Sequence, residues 1–375
     1  MGSWMVDITR LDDDQKDFVE NKIDQPGNIW IQGMAGSGKS VMLVHAIRRK
    51  KEVEPHASMC LVVYTRALVD LFKTGLSDTN ITGVPVFTFY QFQKSGTNYD
   101  YIFCDEVQDL TGEQLSLINS RAGQVYSAGD KNQSIYDHGV APSQIQSLLN
   151  AKTFELNTVH RLTRSIMSAV TKMMPNLNLF GAKRDMTKQD VQIRVCSGES
   201  EAQEVAFVWE KASNEASNGY TAAILLPRHD DIHKFTTQLA THLGEKPWMK
   251  TLNTWGKTDY HAFNAHMNNQ GIKVEYVGNG AGGLASVSRS NKVIIMTYHS
   301  AKGMDFDGVY LPFLSSGTSI SSSTLFMVAM TRSRRNLFIT YSGSLHSHVS
   351  AFVTDSQQIK IGQEAVLPDD DDFDF

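Results

Sequence analysis

The sequence is poor in cysteine and has no long apolar run. Its three cysteines, Cys60, Cys104 and Cys196, are an odd number, and each lies in or beside a short apolar stretch. This placement favours buried, reduced thiols over a disulfide framework, and it fits a reducing cytoplasm. No stretch is apolar for long enough to span a bilayer and no signal peptide opens the chain. We therefore expect a cytoplasmic protein without a membrane partner.

The chain also lacks an excess of basic residues. Its formal net charge of −5 argues, taken alone, against a nucleic-acid-binding protein. The acidic excess is concentrated in one place, because the ending "PDDDDFDF" carries no base and five acids: Asp369, Asp370, Asp371, Asp372 and Asp374. The rest of the chain is close to neutral, so its composition allows a basic groove on the folded body.

Short apolar runs alternate with segments of helical spacing along most of the chain. Examples are "NIWIQGMAGSGKSVMLVHAIRRKK" in the first half and "TAAILLPRHDDIHKFTTQLATHL" in the second. This alternation predicts an α/β protein with doubly wound parallel sheets. We expect a first domain over residues 1–150, a second over 151–355 and an acidic, disordered tail over 356–375. The glycine-rich stretch 278–291 predicts a flexible loop.

"GMAGSGKS" at residues 33–40 fits the pattern G-x-x-x-x-G-K-[ST] between an apolar strand and a helix. The glycines let backbone N–H groups surround a phosphate, and the following helix adds a favourable dipole. The alternative is a glycine-rich turn that binds no ligand. We predict an ATP site formed by Gly33, Gly36, Ser37, Gly38, Lys39 and Ser40, in which Lys39 contacts phosphates and Ser40 binds Mg²⁺.

The segment "YIFCDEVQDLT" places three acids directly after an apolar strand. Carboxylates this close repel one another unless a cation offsets their charge. We predict that Asp105 binds Mg²⁺ together with Ser40, because Mg²⁺ prefers oxygen ligands. Glu106 is then placed to accept a proton from an attacking water. The alternative is an acidic cluster that caps a helix.

With both motifs in hand, the chain resembles the superfamily 1 helicases, and within them the UvrD/Rep-like group. "DEVQD" is the form that this group uses for its second motif. The remaining motifs appear in the family's order between Leu11 and Ile339. They are "LDDDQKDFV", "VVYTRALVDLF", "VFTFYQF", "SAGDKNQSIYDHG", "LNTVHRLTRSI", "IIMTYHSAKGMDFDGVYLP" and "MVAMTRSRRNLFI".

The resemblance implies two RecA-like P-loop domains with ATP in the cleft between them. By this resemblance, Gln15 would contact the adenine and Asp305 would contact the ribose. At the position of Asp305 the family usually has a glutamate. The resemblance assigns Gln133 to the γ-phosphate or the attacking water. Arg161 and Arg332 of the second domain would neutralise charge on the transferring phosphoryl group. Arg334 and Arg335 would lie on a helix or contact DNA.

The resemblance also implies a path for a single strand across both domains. Hydroxyl and imidazole contacts to phosphate carry no sequence information, which suits a motor. Aromatic side chains would stack on bases, although His138 stands where the group often has an aromatic residue. The predicted strand contacts are Tyr64, Thr65, Thr88, Tyr90, Tyr136, His138, Thr297 and His299.

The function implied is an ATP-dependent translocase or helicase on single-stranded DNA, with 3′→5′ polarity, in the cytoplasm of a bacterium or of a phage-infected bacterium. The intervals that hold large accessory domains in relatives are short here, which favours translocation over strong unwinding. An ATP-gated switch without processive movement, and an RNA-directed motor, stay open as alternatives. The tail, with Phe373 and Phe375 after its acids, predicts either docking of a protein partner or self-inhibition.

Overall fold

The structure, a computed structural model, describes residues 4–34, 36–130, 140–160, 162–175, 177, 183–184 and 189–363. Two parallel sheets with helices on both faces dominate it, which confirms the predicted α/β class. Among the described residues, none of the helices has the length and apolar character needed to cross a membrane.

The first sheet contains six parallel strands in the order β3-β2-β4-β5-β1-β6. Its strands are β1 (Asn28–Gly33), β2 (Met59–Val63), β3 (Val86–Thr88), β4 (Tyr99–Cys104), β5 (Ala122–Gly129) and β6 (Ala151–Leu156). The helices of this half are α1 (Asp13–Asp17), α2 (Lys39–Val53), α3 (Arg66–Asp78), α4 (Phe89–Ser95), α5 (Gly112–Ser120) and α6 (Pro142–Leu149). A π-helical turn spans Phe18–Lys22, and 3-10 turns span Ile8–Arg10 and Val107–Asp109.

A two-stranded ladder of β7 (Thr158–Val159) and β8 (Lys183–Arg184) and helix α7 (Arg164–Met173) lead to the second sheet. This sheet is parallel, in the order β11-β12-β10-β13-β14-β9-β15. Its strands are β9 (Gln192–Gly198), β10 (Ala222–Leu226), β11 (Val274–Tyr276), β12 (Val293–Thr297), β13 (Phe306–Leu311), β14 (Ser333–Ser342) and β15 (Gln357–Lys360). Its helices are α8 (Glu201–Ser217), α9 (His229–His242), α10 (Tyr260–Asn269), α11 (Leu284–Ser290), α12 (Ser323–Met330) and α13 (Ser347–Ser350), and a 3-10 turn spans Val353–Asp355.

Several boundaries differ from those expected. Strand β6 pairs with β1, so the first sheet continues past residue 150, where the second domain was expected to begin. Strand β15 pairs with β9, so residues 357–360 belong to the second sheet and not to a disordered tail. The predicted flexible loop 278–291 contains helix α11, which buries Leu284 and Val287. Residues 364–375 lie outside the described residues.

Both sheets are buried on both faces, as parallel sheets require. In β1, Ile29 and Ile31 pack into one core while Trp30 packs into another on the opposite face. In β10, Ala223 and Leu225 likewise face away from Ile224. This alternation follows from the two-residue period of a strand.

The two halves pack against each other beside the carboxyl ends of their strands. Ala67 of α3, in the first half, belongs to a core built mainly by the second half. Gly303 lies against Leu68 so closely that a Cβ on this glycine would collide with the leucine side chain, and Gly280 lies against Arg66 in the same way. The loops that follow the parallel strands of each sheet therefore meet along this junction.

Candidate nucleotide site and strand path

The glycine-rich loop connects β1 to α2 at the carboxyl edge of the first sheet. Gly36 and Gly38 adopt φ values of 78° and 87°, the left-handed region that glycine tolerates best. Lys39 Nζ donates to the carbonyl oxygens of Gly33 and Met34, each at 2.9 Å. The lysine thus folds back over its own loop, where phosphate oxygens could replace those two acceptors.

Gln15 of α1 contacts the same loop. Its Nε2 donates to Ser37 O at 3.0 Å, and its Oε1 accepts from Asp12 N in the capping box of α1. A Cβ at residue 38 would collide with Gln15 Nε2, so glycine is required there. Gln15 is 4% exposed, so its amide is buried beside the loop. Its predicted contact with adenine stays a prediction.

Ser40 and Asp105 approach each other across the loop. Ser40 Oγ donates to Asp105 Oδ2 at 2.6 Å, and Asp105 Oδ1 accepts from Glu106 N at 2.9 Å. Burial, and secondarily the charge of Glu106, raise the pKa of Asp105 from 3.8 to about 6. A buried carboxylate next to a hydroxyl is a donor set that suits Mg²⁺, which would remove this unfavourable charge.

The described residues contain no group of three His, Cys, Asp or Glu side chains that could hold a metal by itself. A magnesium ion with one carboxylate and one hydroxyl keeps several waters and depends on nucleotide oxygens. Ser40 and Asp105 therefore fit a metal that arrives with a nucleotide, and their role as its ligands stays a prediction.

Glu106 occupies a strained backbone position at the carboxyl edge of the first sheet. Its φ of 55° is left-handed, which a non-glycine residue adopts rarely and at a cost of about 1–3 kcal/mol. Its carboxylate accepts from Gln108 Nε2, and Gln108 Oε1 in turn accepts from Asp130 N at 3.1 Å. These two hydrogen bonds restrict the direction of the Glu106 carboxylate, and sequence reasoning did not single out Gln108.

Charges around Glu106 keep it ionised. Burial acts to raise the pKa of Glu106, but Lys302 and then Lys39 act against it, with the Gln108 hydrogen bond and Arg332, and the net pKa is lowered. An ionised carboxylate can accept a proton from water. The position agrees with the predicted role as general base, which stays a prediction.

Lys302 of the second half is the largest feature that sequence reasoning missed. Its Nζ lies 2.8 and 2.7 Å from Asp109 Oδ1 and Oδ2 and 3.5 Å from Glu106 Oε2. The lysine is 3% exposed and Asp109 1% exposed, so this ion pair is buried. The acidic cluster after β4 therefore has a protein counter-charge, whereas the sequence suggested a metal alone. The signal available was a lone lysine in "YHSAKGMDF".

Arg332 is buried directly behind the same junction. Its guanidinium donates to Val328 O at 2.8 Å, Met304 O at 3.1 Å and Thr331 Oγ1 at 2.9 Å. It contributes to lowering the pKa of Glu106, so it lies within electrostatic range of that carboxylate. Its contact with a phosphoryl group stays a prediction.

The surroundings of three residues near Arg332 differ from those expected: Asp305, Arg334 and Arg335. Arg334 and Arg335 lie in β14 and not on a helix, because α12 ends at Met330. Arg334 Nη2 lies 3.6 Å from Asp305 Oδ2, and Arg335 stacks on the Tyr220 ring at 4.2 Å. The predicted ribose contact of Asp305 would therefore compete with an ion pair.

The predicted strand-contacting threonines lie at the carboxyl ends of three strands. Thr65 and Thr88 cap helices α3 and α4 by accepting from Leu68 N at 3.3 Å and Gln91 N at 3.4 Å. Thr297 Oγ1 accepts from Ser300 N at 3.2 Å. These hydroxyls already have local partners, so binding a phosphate would require them to share or exchange those bonds.

The predicted aromatic and imidazole contacts differ in exposure. Tyr90 is 66% exposed, whereas Tyr64 is half-buried. Burial, and then the charge of Asp109, raise the pKa of Tyr64. Burial, and then Lys302, lower the pKa of His299, which favours its neutral form. Gln133, Tyr136, His138 and Arg161 lie outside the described residues.

One further contact ties the connection between the halves to the nucleotide loop. His160 N donates to Gly36 O at 2.9 Å, and its Nε2 lies 2.6 Å from Asp12 Oδ2. The segment that leaves the first sheet is therefore fixed to the phosphate loop itself. Sequence reasoning flagged only the following arginine in "VHRLT".

Comparison with known families identifies the class of protein. The family described as viral superfamily 1 RNA helicase core domain matches residues 29–220, more than half of the chain, and the UvrD-like helicase C-terminal domain matches residues 280–344. The chain belongs to the superfamily 1 helicases, which confirms the predicted superfamily. Because each match comes from a different group, the narrower UvrD/Rep-like assignment stays a prediction.

No curated protein matches the chain in sequence. Two solved structures of the Arterivirus nonstructural protein 10 (helicase), one of them in complex with DNA, are each 16% identical to it. They match 86% and 87% of this chain and 61% and 63% of their own, with TM-scores of 0.46 and 0.43. The chain thus spans about three fifths of the length of these structures.

Proposed function

We propose that this chain is an ATP-driven motor that translocates 3′→5′ on single-stranded DNA, with helicase activity limited by its small accessory segments. The observation that carries the proposal is the buried contact of Lys302 with Glu106 and Asp109. A cation of one half meets the candidate catalytic acid of the other beside the phosphate loop. A nucleotide in this position would interact with both halves at once.

The chemistry follows from the positions of the side chains. Lys39 would exchange the carbonyls of Gly33 and Met34 for phosphate oxygens. Ser40 and Asp105 would hold Mg²⁺, whose charge stabilises the phosphates when it is bound. Glu106, kept ionised by its surroundings and oriented by Gln108, would take the proton of the attacking water.

Coupling to movement rests on the same junction. The phosphates of a bound nucleotide would place negative charge next to Lys302 and Arg332. In this structure Lys302 neutralises a buried acid, and Arg332 donates to backbone carbonyls. Redistribution of these contacts would change the packing of the two halves, and hydrolysis would reverse it. Because Thr65 and Thr297 lie on opposite halves, such a change would alter the spacing of strand contacts.

An RNA-directed motor is the second candidate. The match to a family named for viral RNA helicases favours it, and threonine contacts to phosphate do not distinguish DNA from RNA. A nucleotide-gated binding switch would use the same site without processive movement.

The test is the rate of ATP hydrolysis alone, with oligothymidylate and with oligouridylate at equal nucleotide concentration. The proposal predicts stimulation by at least about tenfold, larger with oligothymidylate. Stronger stimulation by oligouridylate would favour the RNA-directed motor. A rate that neither polymer changes would contradict both motors.

A further inference from the structure

A hairpin in the second half exposes three large apolar side chains to solvent. It spans residues 249–258, and Leu252 and Thr258 form its antiparallel bridge. Trp255 and Met249 are each 81% exposed, and Leu252 is 61% exposed. Exposed apolar clusters of this kind mark interaction sites more often than isolated surface residues do.

The tip of the hairpin is ordered by its own hydrogen bonds. Asn253 Oδ1 accepts from Trp255 N at 3.0 Å and from Lys257 N at 3.1 Å, and Asn253 O accepts from Gly256 N at 3.0 Å. Gly256 supplies the left-handed φ of 70° that the turn needs. The backbone that carries Trp255 is therefore held by the turn, so a ligand that contacts the indole would have less backbone freedom to restrict.

Buried aromatic residues anchor both ends of the hairpin. Trp248, just before it, is 6% exposed and packs edge-on against Phe263 at 5.3 Å. Tyr260, just after it, stacks on Tyr276 at the end of β11. Buried aromatic residues therefore flank an exposed tip in the sequence, and an ordinary surface loop does not require this arrangement.

The base of the hairpin adjoins the predicted strand path. Lys250 Nζ lies 3.1 Å from Asp230 Oδ1, next to His229, and His229 Nδ1 lies 2.6 Å from Tyr260 OH. His229 follows β10, whose Leu226 is in register with Thr297 of β12. Lys250 and His299 both act on the pKa of His229, although burial is the largest cause that lowers it. The hairpin therefore rises from the edge that carries Thr297 and His299.

The geometry points to single-stranded nucleic acid as the occupant, with an unpaired base stacked on Trp255. Lys246, Lys250 and Lys257 are exposed along this segment, and the acids Glu245 and Asp259 stand at its ends. Aromatic platforms flanked by cations bind single strands without sequence preference. This inference rests on the proposed function and adds to it a specific platform.

The test measures the affinity of fluorescein-labelled oligothymidylate and oligouridylate by anisotropy for wild type, Trp255→Ala, Trp255→Phe and Lys257→Ala. Because Trp255→Ala removes one stacking contact, the affinity of this variant for either oligonucleotide should be about tenfold to a hundredfold lower than that of wild type. Trp255→Phe should retain most of the affinity. Lys257→Ala should make the dependence of log Kd on log[salt] shallower by about 0.7. Val53→Ala, at an apolar residue 50% exposed at the end of α2, is the matched control and should bind as wild type does.

Thermal melting and sedimentation velocity of each variant separate the outcomes. A folded Trp255→Ala variant that binds both oligonucleotides like wild type overturns the platform and leaves the proposed function standing. Loss of self-association in that variant with unchanged strand affinity also overturns it, and assigns the surface to contacts between copies of this chain. Failure of wild type itself to bind either oligonucleotide overturns both proposals.

Discussion

Replacing Lys302 with methionine tests the buried junction that links the two halves. The substitution keeps an unbranched side chain of similar length and removes the charge between Asp109 and Glu106, which are 1% and 8% exposed. Breaking a buried ion pair from one side costs about 3–5 kcal/mol, because the remaining charges are left uncompensated. We expect Lys302→Met to lower the free energy of unfolding by about this amount at neutral pH.

The assay is urea unfolding at neutral pH, followed by fluorescence and circular dichroism. Lys172→Met is the control, since its 2.6 Å pair with Asp355 is largely exposed. Removing that exposed pair should cost less than about 1 kcal/mol. The double variant Asp109→Asn/Lys302→Met should be more stable than the sum of the single effects implies, by at least about 1 kcal/mol.

Acidic conditions supply a second check on the same variant. Lys302 is the largest influence that lowers the pKa of Glu106, so the stability that it confers through Glu106 is full above the ordinary pKa of 4.5. That contribution is lost as the pH falls further and the carboxylate takes up a proton. The difference between wild type and Lys302→Met should therefore shrink in acid. A difference below about 1 kcal/mol at neutral pH, with additive single effects, would refute the buried junction.

Three further predictions concern the nucleotide site. Lys39→Ala and Glu106→Gln should both abolish hydrolysis, but only Lys39→Ala should weaken ATP binding, since the proposed role of Glu106 is to act on water. Equal loss of ATP affinity in both variants, measured by equilibrium binding, would contradict these roles. Asp105→Asn should stabilise the nucleotide-free protein at neutral pH. The raised pKa of Asp105 gives stability that is full below about pH 4 and is lost as the pH rises through about 6, because the buried carboxylate is then charged. A difference in Tm between variant and wild type that does not depend on pH would argue against this. Arg332→Lys should keep nucleotide affinity within about tenfold yet reduce kcat at least about a hundredfold, and an unchanged kcat would remove Arg332 from the reaction.

Local patterns predicted much of the first half. The strand, glycine-rich turn and helix around Lys39 follow from residue order alone, and Ser40 meets Asp105 because both stand at the carboxyl edge of one parallel sheet. The pairing of Lys302 with Asp109 joins residues 193 positions apart, and no local pattern specifies it. A cluster of acids requires a counter-charge, but the sequence does not say whether metal or lysine supplies it.

Local sequence patterns also did not predict which sheet a strand joins, or which segment forms a strand at the edge of a sheet. Strand β15, "QQIK", has three exposed residues of four and no apolar period, so only its pairing with β9 reveals it. Helix α11 lies in a glycine-rich stretch whose average composition hides two buried apolar residues, Leu284 and Val287. Strand β6 carries nothing in its sequence that assigns it to the first sheet and not to the second.

Movement of the protein along a single strand can be followed directly by a stopped-flow translocation assay. Oligothymidylates of increasing length carry a fluorophore at the 5′ end or at the 3′ end. Addition of ATP starts a single round of translocation by the protein that is already bound. Movement in the 3′→5′ direction predicts a signal from the 5′ label whose delay grows linearly with strand length, and an immediate decay from the 3′ label. A signal from either end that does not depend on length, despite ATP hydrolysis, would contradict translocation and favour a nucleotide-gated switch.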